Sequence, residues 1–113
     1  MEISSEQRGN LLVVTLQGKR LEAATATFFK STIADFINNG ANRIILDLSQ
    51  VDFVDSSGLG SIVSILKTLG EEGELVLCGI SQTVMSLFKL TRLDRIFRIY
   101  ATADEAVANF PEP

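Results

Sequence analysis

Histidine is absent from the 113 residues, and this removes whole classes of chemistry. A Ser-His-Asp triad cannot be assembled, nor can a His-based metal site or His general acid–base catalysis. Cysteine is nearly absent: Cys78 stands alone and has no partner for an internal disulfide. It lies in the apolar run LVLCGI, where a buried structural thiol is expected rather than a redox group. A metal centre would therefore have to be built from carboxylates, and the acidic residues show no such ligand spacing. No metal or cofactor is expected. Concentrated positive charge is also lacking. Ten Lys and Arg against fourteen Asp and Glu leave a net charge of −4, with the cations scattered. Nucleic acid is thus not an expected partner, because phosphate-backbone binding needs clustered cations. No apolar run approaches the roughly 20 residues of a membrane span. The N-terminal MEISSEQRGN has no basic region followed by an apolar block, so no secretory signal is expected. With a lone thiol, a reducing cytoplasm is the expected compartment.

What is present is a core. Hydrophobic residues make up 46% of the chain, too many for disorder, and the length suits one small domain. The expected division is a domain over residues 1–110 and a short Pro111-Glu112-Pro113 tail. MEISSEQ and LLVVTLQ, separated by Arg8-Gly9-Asn10, read as an antiparallel hairpin turned at Gly-Asn. ATATFFKSTIADFINN places Phe29, Ile33, Phe36 and Ile37 at helical spacing and ends at Gly40. RIILDL and ELVLCG are short, almost wholly apolar runs, as expected of strands covered on both faces. From Leu59 onward Ile62, Val63, Leu66 and Leu69 fall on one helical stripe, stopped by Gly70. Ser81 reads as the N-cap of a helix carrying Val84, Leu87, Phe88 and Leu90. A last strand over Ile96–Tyr100 and a final helix over Ala103–Phe110 complete the order β-β-α-β-α-β-α-β-α. That alternation predicts one α/β domain, with a mainly parallel central sheet, an N-terminal antiparallel hairpin and about four helices.

In such sheets function gathers where strands end and helices begin. The segment LDLSQVDFVDSSGLG occupies such a junction. Ser56 or Ser57 could cap the helix that follows, and Gly58 and Gly60 could serve close helix–sheet approach. Two early glycines cost a helix about 1 kcal/mol each relative to alanine, and one cap does not need Asp55, Ser56 and Ser57 together. An enzyme is not expected here. No histidine or positioned lysine is evident to activate a hydroxyl, and Gly58-Leu59-Gly60 lacks the Gly-Lys-Ser/Thr ending of a P-loop. A hydroxyl at a helix start is instead suited to phosphorylation, since the helix N-terminus tolerates the new charge.

The residues Asp47-Leu48-Ser49, the run Val51 to Val54 and above all Asp55-Ser56-Ser57-Gly58-Leu59-Gly60 resemble the STAS domain, and within it the stand-alone bacterial anti-sigma factor antagonists. The resemblance extends over nearly the whole chain, including the Leu16 to Glu22 turn and the Leu75 to Gly79 strand. It implies a protein that binds an ATP-dependent serine kinase doubling as an anti-sigma factor. The unphosphorylated form holds the kinase and frees the sigma factor, the phosphorylated form lets go, and a PP2C-type phosphatase resets the cycle.

Matched residue by residue, the implied phosphate acceptor is Ser56, directly after Asp55, with Ser57 as second choice and the expected structural cap. Asp55 would shape the loop and its charge. The implied partner-binding set is Asp55, Ser56, Ser57, Gly58, Leu59 and Glu22. One position departs from the family pattern: members often carry Asp after the glycine turn where this chain has Glu22, whose alternative role is a solvated acid in the first turn. Phe53-Val54 is expected to pack at the sheet end. The alternative within the same fold is a scaffold or regulatory module of a transporter, a stressosome-like assembly or another signalling output.

Overall fold

Strand residues that are apolar at nearly every position must be covered on two sides, and the computed structural model, which describes residues 1–111, shows how. In chain order the elements are β1 (Glu2–Arg8), β2 (Leu11–Gln17), β3 (Arg20–Leu21), α1 (Ala23–Asn38), β4 (Arg43–Asp47), β5 (Phe53–Val54), α2 (Ser56–Leu69), β6 (Glu74–Cys78), α3 (Gln82–Leu90), β7 (Arg98–Tyr100) and α4 (Ala103–Ala108), with a 3-10 turn at Leu93–Arg95 before β7. The main sheet runs β1-β2-β4-β6-β7. The β1–β2 pair is antiparallel across a turn in which Gly9 takes φ 64°, a conformation glycine adopts without strain. The other pairings are parallel.

Successive side chains leave a strand on opposite faces, and the core divides accordingly. Leu12, Val14, Leu16, Ile44, Leu46, Leu75 and Leu77 join Phe29, Ile33, Ile62, Ile65, Val84 and Phe88 from α1, α2 and α3. Leu11, Val13, Ile45, Val76 and Cys78 face the other way, against Ala106 of α4 and Phe110. Each fully buried side chain of this size contributes about 1.5–3 kcal/mol, so the three-helix face carries most of the stability.

Several expectations give way to tertiary structure. Arg20–Leu21 and Phe53–Val54, read as a turn and as sheet-end packing, form a separate two-stranded parallel sheet, with Arg20 opposite Phe53 and Leu21 opposite Val54. Along α2, Ile65 is buried where Val63 is only partly so. Leu90 is exposed at the end of α3. The last strand starts two residues late because the 3-10 turn leaves Ile96 in solvent while Phe97 enters the core. The final helix ends at Ala108, with Phe110 reaching the core from beyond it. Of the expected tail, the Pro111 carbonyl accepts from Arg43 Nη2 at 2.7 Å; Glu112 and Pro113 lie outside the described residues. Among the described residues no helix is long and apolar enough to cross a membrane.

Candidate functional site

The first four N–H groups of a helix have no partner inside it, and α1 and α2 meet this need through one side chain. Asp55, the N-cap of α2, accepts from the Gly58 N–H with Oδ1 at 2.9 Å and from the Ala23 N–H with Oδ2 at 3.2 Å. Its own N–H donates to the Leu21 carbonyl at 3.2 Å. The amino ends of both helices therefore converge on Asp55, each carrying the equivalent of roughly half a positive charge. The cap is thus neither Ser56 nor Ser57: the Asp55 carboxylate gives one oxygen to each helix.

This leaves the two serines uncommitted. Ser56 and Ser57 are the first two residues of α2, both are exposed, and neither hydroxyl bonds to another described residue. Ser57 lines a shallow groove of about 280 Å³ between α1 and α2, together with Ala23, Ala26, Thr27, Lys30, Gly60 and Ser61. Ser56 stands outside that groove. The Ser61 hydroxyl is buried and donates to the Gly58 carbonyl at 2.6 Å, as a buried polar group requires.

The two glycines of the motif differ. A Cβ on Gly58 would run into the Leu21 carbonyl oxygen and come within 2.9 Å of Val54 Cγ1, so close approach of α2 to the small sheet demands glycine. A Cβ on Gly60 would meet nothing within 4 Å; close packing does not account for Gly60. Gly58 and Leu59 are buried, which makes the exposed surface of the motif Ser56, Ser57 and Gly60, with Asp55 half-buried beside them.

Glu22 sits at the N-cap position of α1, one residue before the first turn, and its N–H donates to Thr25 Oγ1 at 3.1 Å. Its carboxylate accepts from Arg20 Nε at 2.8 Å, and the Arg20 guanidinium lies 4.1 Å above the centre of the Phe53 ring. Leu21 and Val54 point into the core, whereas Arg20 and Phe53 are exposed and Glu22 and Asp55 half-buried. The small sheet thus presents Arg20, Glu22, Phe53 and Asp55 on one outward face, ending at Ser56. Sequence reasoning missed Arg20 and Phe53 as surface residues. The only signal was a period-two pattern around Leu21 and Val54, too brief to stand out.

Cys78 is buried. Burial, with the negative charge of Asp47 adding to it, pushes its thiol up to about 12, far from the thiolate that redox or nucleophilic chemistry requires.

Comparison with known proteins places this geometry. Residues 2–106 match the STAS domain family. A Thermotoga maritima protein provisionally named an anti-sigma factor antagonist is 40% identical over 98 residues, covering 85% of this chain and 87% of that one. The crystal structure of a Thermotoga maritima protein of the same provisional name superposes with a TM-score of 0.87 at 35% identity, over 94% of this chain and 92% of that one. The anti-sigma-B factor antagonist of Listeria monocytogenes is 32% identical over 90 residues, 79% of each chain. The phosphorylated form of SpoIIAA, a Bacillus cell fate determinant, shares the fold with a TM-score of 0.74 at 24% identity, covering 97% of this chain and all of that one.

Proposed function

This chain belongs to the STAS domain family, and from that premise we propose that it is an anti-sigma factor antagonist switched by phosphorylation of Ser56. The observation that carries the reading is the free, exposed Ser56 hydroxyl at the first position of α2, beside a carboxylate that has taken over the capping. Its partner is an ATP-dependent serine kinase that is also the anti-sigma factor. The unphosphorylated chain binds the kinase and frees the sigma factor. The kinase transfers the γ-phosphoryl group of ATP to Ser56 Oγ; ADP leaves, the hydroxyl proton is released, and the complex separates. A PP2C-type phosphatase hydrolyses the ester and resets the cycle. The chain is substrate and ligand in this scheme, not catalyst, and it works in the cytoplasm, where kinase and sigma factor reside.

The physical chemistry supports both halves of the switch. The N–H groups of Ser56 and Ser57 have no acceptor among the described residues, so a phosphate finds donors and a favourable helix end without refolding. Phosphate adds about −1.5 to −2 charge beside Asp55 and Glu22. A surface that accepted a partner before now repels its carboxylates and nucleotide phosphates. A coupling of about 3 kcal/mol corresponds to a roughly 100-fold loss of affinity. Ser56 is favoured over Ser57 because Ser57 has the α1 wall of the groove beside it.

Incubation with the cognate kinase and ATP, followed by mass spectrometry, tests the assignment. One phosphate on Ser56 is expected. Reproducible phosphate on Ser57 or Thr68 would overturn the residue, and no phosphate would turn the reading toward a STAS scaffold module. Ser56→Ala should bind the kinase in ADP and stay bound in ATP; release by ATP at the wild-type rate would rule out phosphorylation of Ser56 as the switch.

A further inference from the structure

Among Arg20, Glu22, Phe53 and Asp55 on the outward face of the small sheet, Arg20 is the cation, and only part of its hydrogen-bonding capacity is in use. Its Nε donates to Glu22 at 2.8 Å, while neither Nη group has an acceptor among the described residues. The guanidinium is held in place by the Phe53 ring beneath it at 4.1 Å. The parallel register that sets Arg20 opposite Phe53 and Leu21 opposite Val54 continues through the bond between Asp55 Oδ2 and the Ala23 N–H, and Ser56 follows. Three steps of chain, at most about 10 Å when extended, separate Phe53 from Ser56, a span of the order of an arginine side chain and a phosphoserine together.

Resting on the assignment of Ser56 as the phosphorylated residue, we propose that Arg20 is the internal counter-ion of that phosphate, swinging on Phe53 from Glu22 to the phosphoryl oxygens. Before modification the face carries Glu22 and Asp55 against Arg20. Phosphorylation leaves three anionic groups against a single cation, so the cation goes where it gains most. A phosphate accepts the arginine fork through two parallel bonds, whereas Glu22 holds it through Nε alone. The exchange frees Glu22 and withdraws the guanidinium from the outward surface, so phosphorylation alters that surface at two places, Ser56 and Arg20.

The charged groups acting on the phosphate are Asp55 and Glu22, which raise its second pKa, and Arg20 with the amino ends of α1 and α2, which lower it. The test uses the full chain with phosphoserine installed at position 56 during translation, so it needs no kinase. The phosphate is titrated by phosphorus NMR in wild type, Arg20→Gln and Arg20→Lys. The wild-type second pKa is expected below that of Arg20→Gln by half a unit or more, a threefold or greater change in the constant. Arg20→Lys should fall between them, because it keeps the charge and loses the fork. Equal values in wild type and Arg20→Gln would overturn the proposal, as would equal values for Arg20→Lys and wild type. Coincident melting of the unphosphorylated variants shows that the fold is intact. The kinase experiment reports on Ser56 as acceptor and this one on Arg20, so either can fail without the other.

Discussion

At the junction of β6 and α3, Ser81 caps the helix with its own hydroxyl, accepting from the Val84 N–H at 3.2 Å. At the junction of β5 and α2 the motif again supplies hydroxyls, but Asp55 caps, and it does so for two helices at once. A serine engaged as a cap has its oxygen committed to the backbone and is a poor candidate for modification. Substituting a carboxylate at the cap frees the serines that follow. Both junctions carry a forced glycine, but in different places: Gly79 precedes the cap of α3, with φ 71° and Ser49 Cβ 2.8 Å from where a Cβ would sit, whereas Gly58 lies inside the first turn of α2 against a main-chain carbonyl. One junction only starts a helix; the other also holds two elements together and presents a reactive group.

The largest expected effect tests the crowding. Gly58→Ala should cost about 3 kcal/mol, the upper part of the usual range for overpacking, because the added methyl meets a main-chain carbonyl that cannot rotate away. Denaturant unfolding reads it directly. A loss under about 1 kcal/mol, the ordinary scale of a point mutation, would mean that α2 is free to shift away from the small sheet. Gly60→Ala is the matched control, expected to leave stability unchanged or raised by up to about 1 kcal/mol.

Next comes the double cap. Asp55→Ala should cost about 2 kcal/mol and Ser81→Ala about 1, since one removes two caps and the other removes one. Asp55→Asn, which keeps a single acceptor oxygen, should fall between. Equal losses for the two alanine variants would show that the bond to Ala23 contributes nothing, and the contrast between the junctions would reduce to residue type.

The smallest effects are expected at the serines themselves. Ser57→Ala should change stability by less than about 0.5 kcal/mol, as for an ordinary surface substitution. A cap-sized loss there would return the capping role to Ser57. Ser56→Asp should stay within about 1 kcal/mol of wild type, its added charge favoured by the helix end and opposed by Asp55 and Glu22. Loss of cooperative melting would place Ser56 in the interior and remove the basis of a surface switch.

Much of the fold was legible because it rests on periodicity. The apolar runs at 44–46 and 75–78 could only be strands covered twice, and Phe29 and Ile33 fall on the stripe that α1 buries. The misreadings lie where periodicity is short or ends. Leu90 continues an apolar pattern in the last turn of α3, but the chain turns at Thr91 and Arg92, where Arg92 adopts φ 62°, and the side chain remains outside. Two-residue strands carry no detectable period, so β3 and β5 emerge only from their pairing. At the site, composition and motif led to Ser56 and its neighbours, but the division of labour among them was misjudged. Capping by a neighbouring hydroxyl is the local solution, and local spacing is all a sequence displays.

From the order of its residues alone, this chain was bound to alternate strands and helices, to bury its apolar runs, and to carry hydroxyls at a helix start without histidine to make them catalytic. Those outcomes follow from spacing and residue type, which act within a few residues. Tertiary structure alone decided that Asp55 would bind a helix beginning 32 residues earlier in the chain, that Gly58 would be irreplaceable and Gly60 not, and that Arg20 would rest on Phe53. Each depends on the approach of segments distant in sequence, at separations set by how the whole core packs.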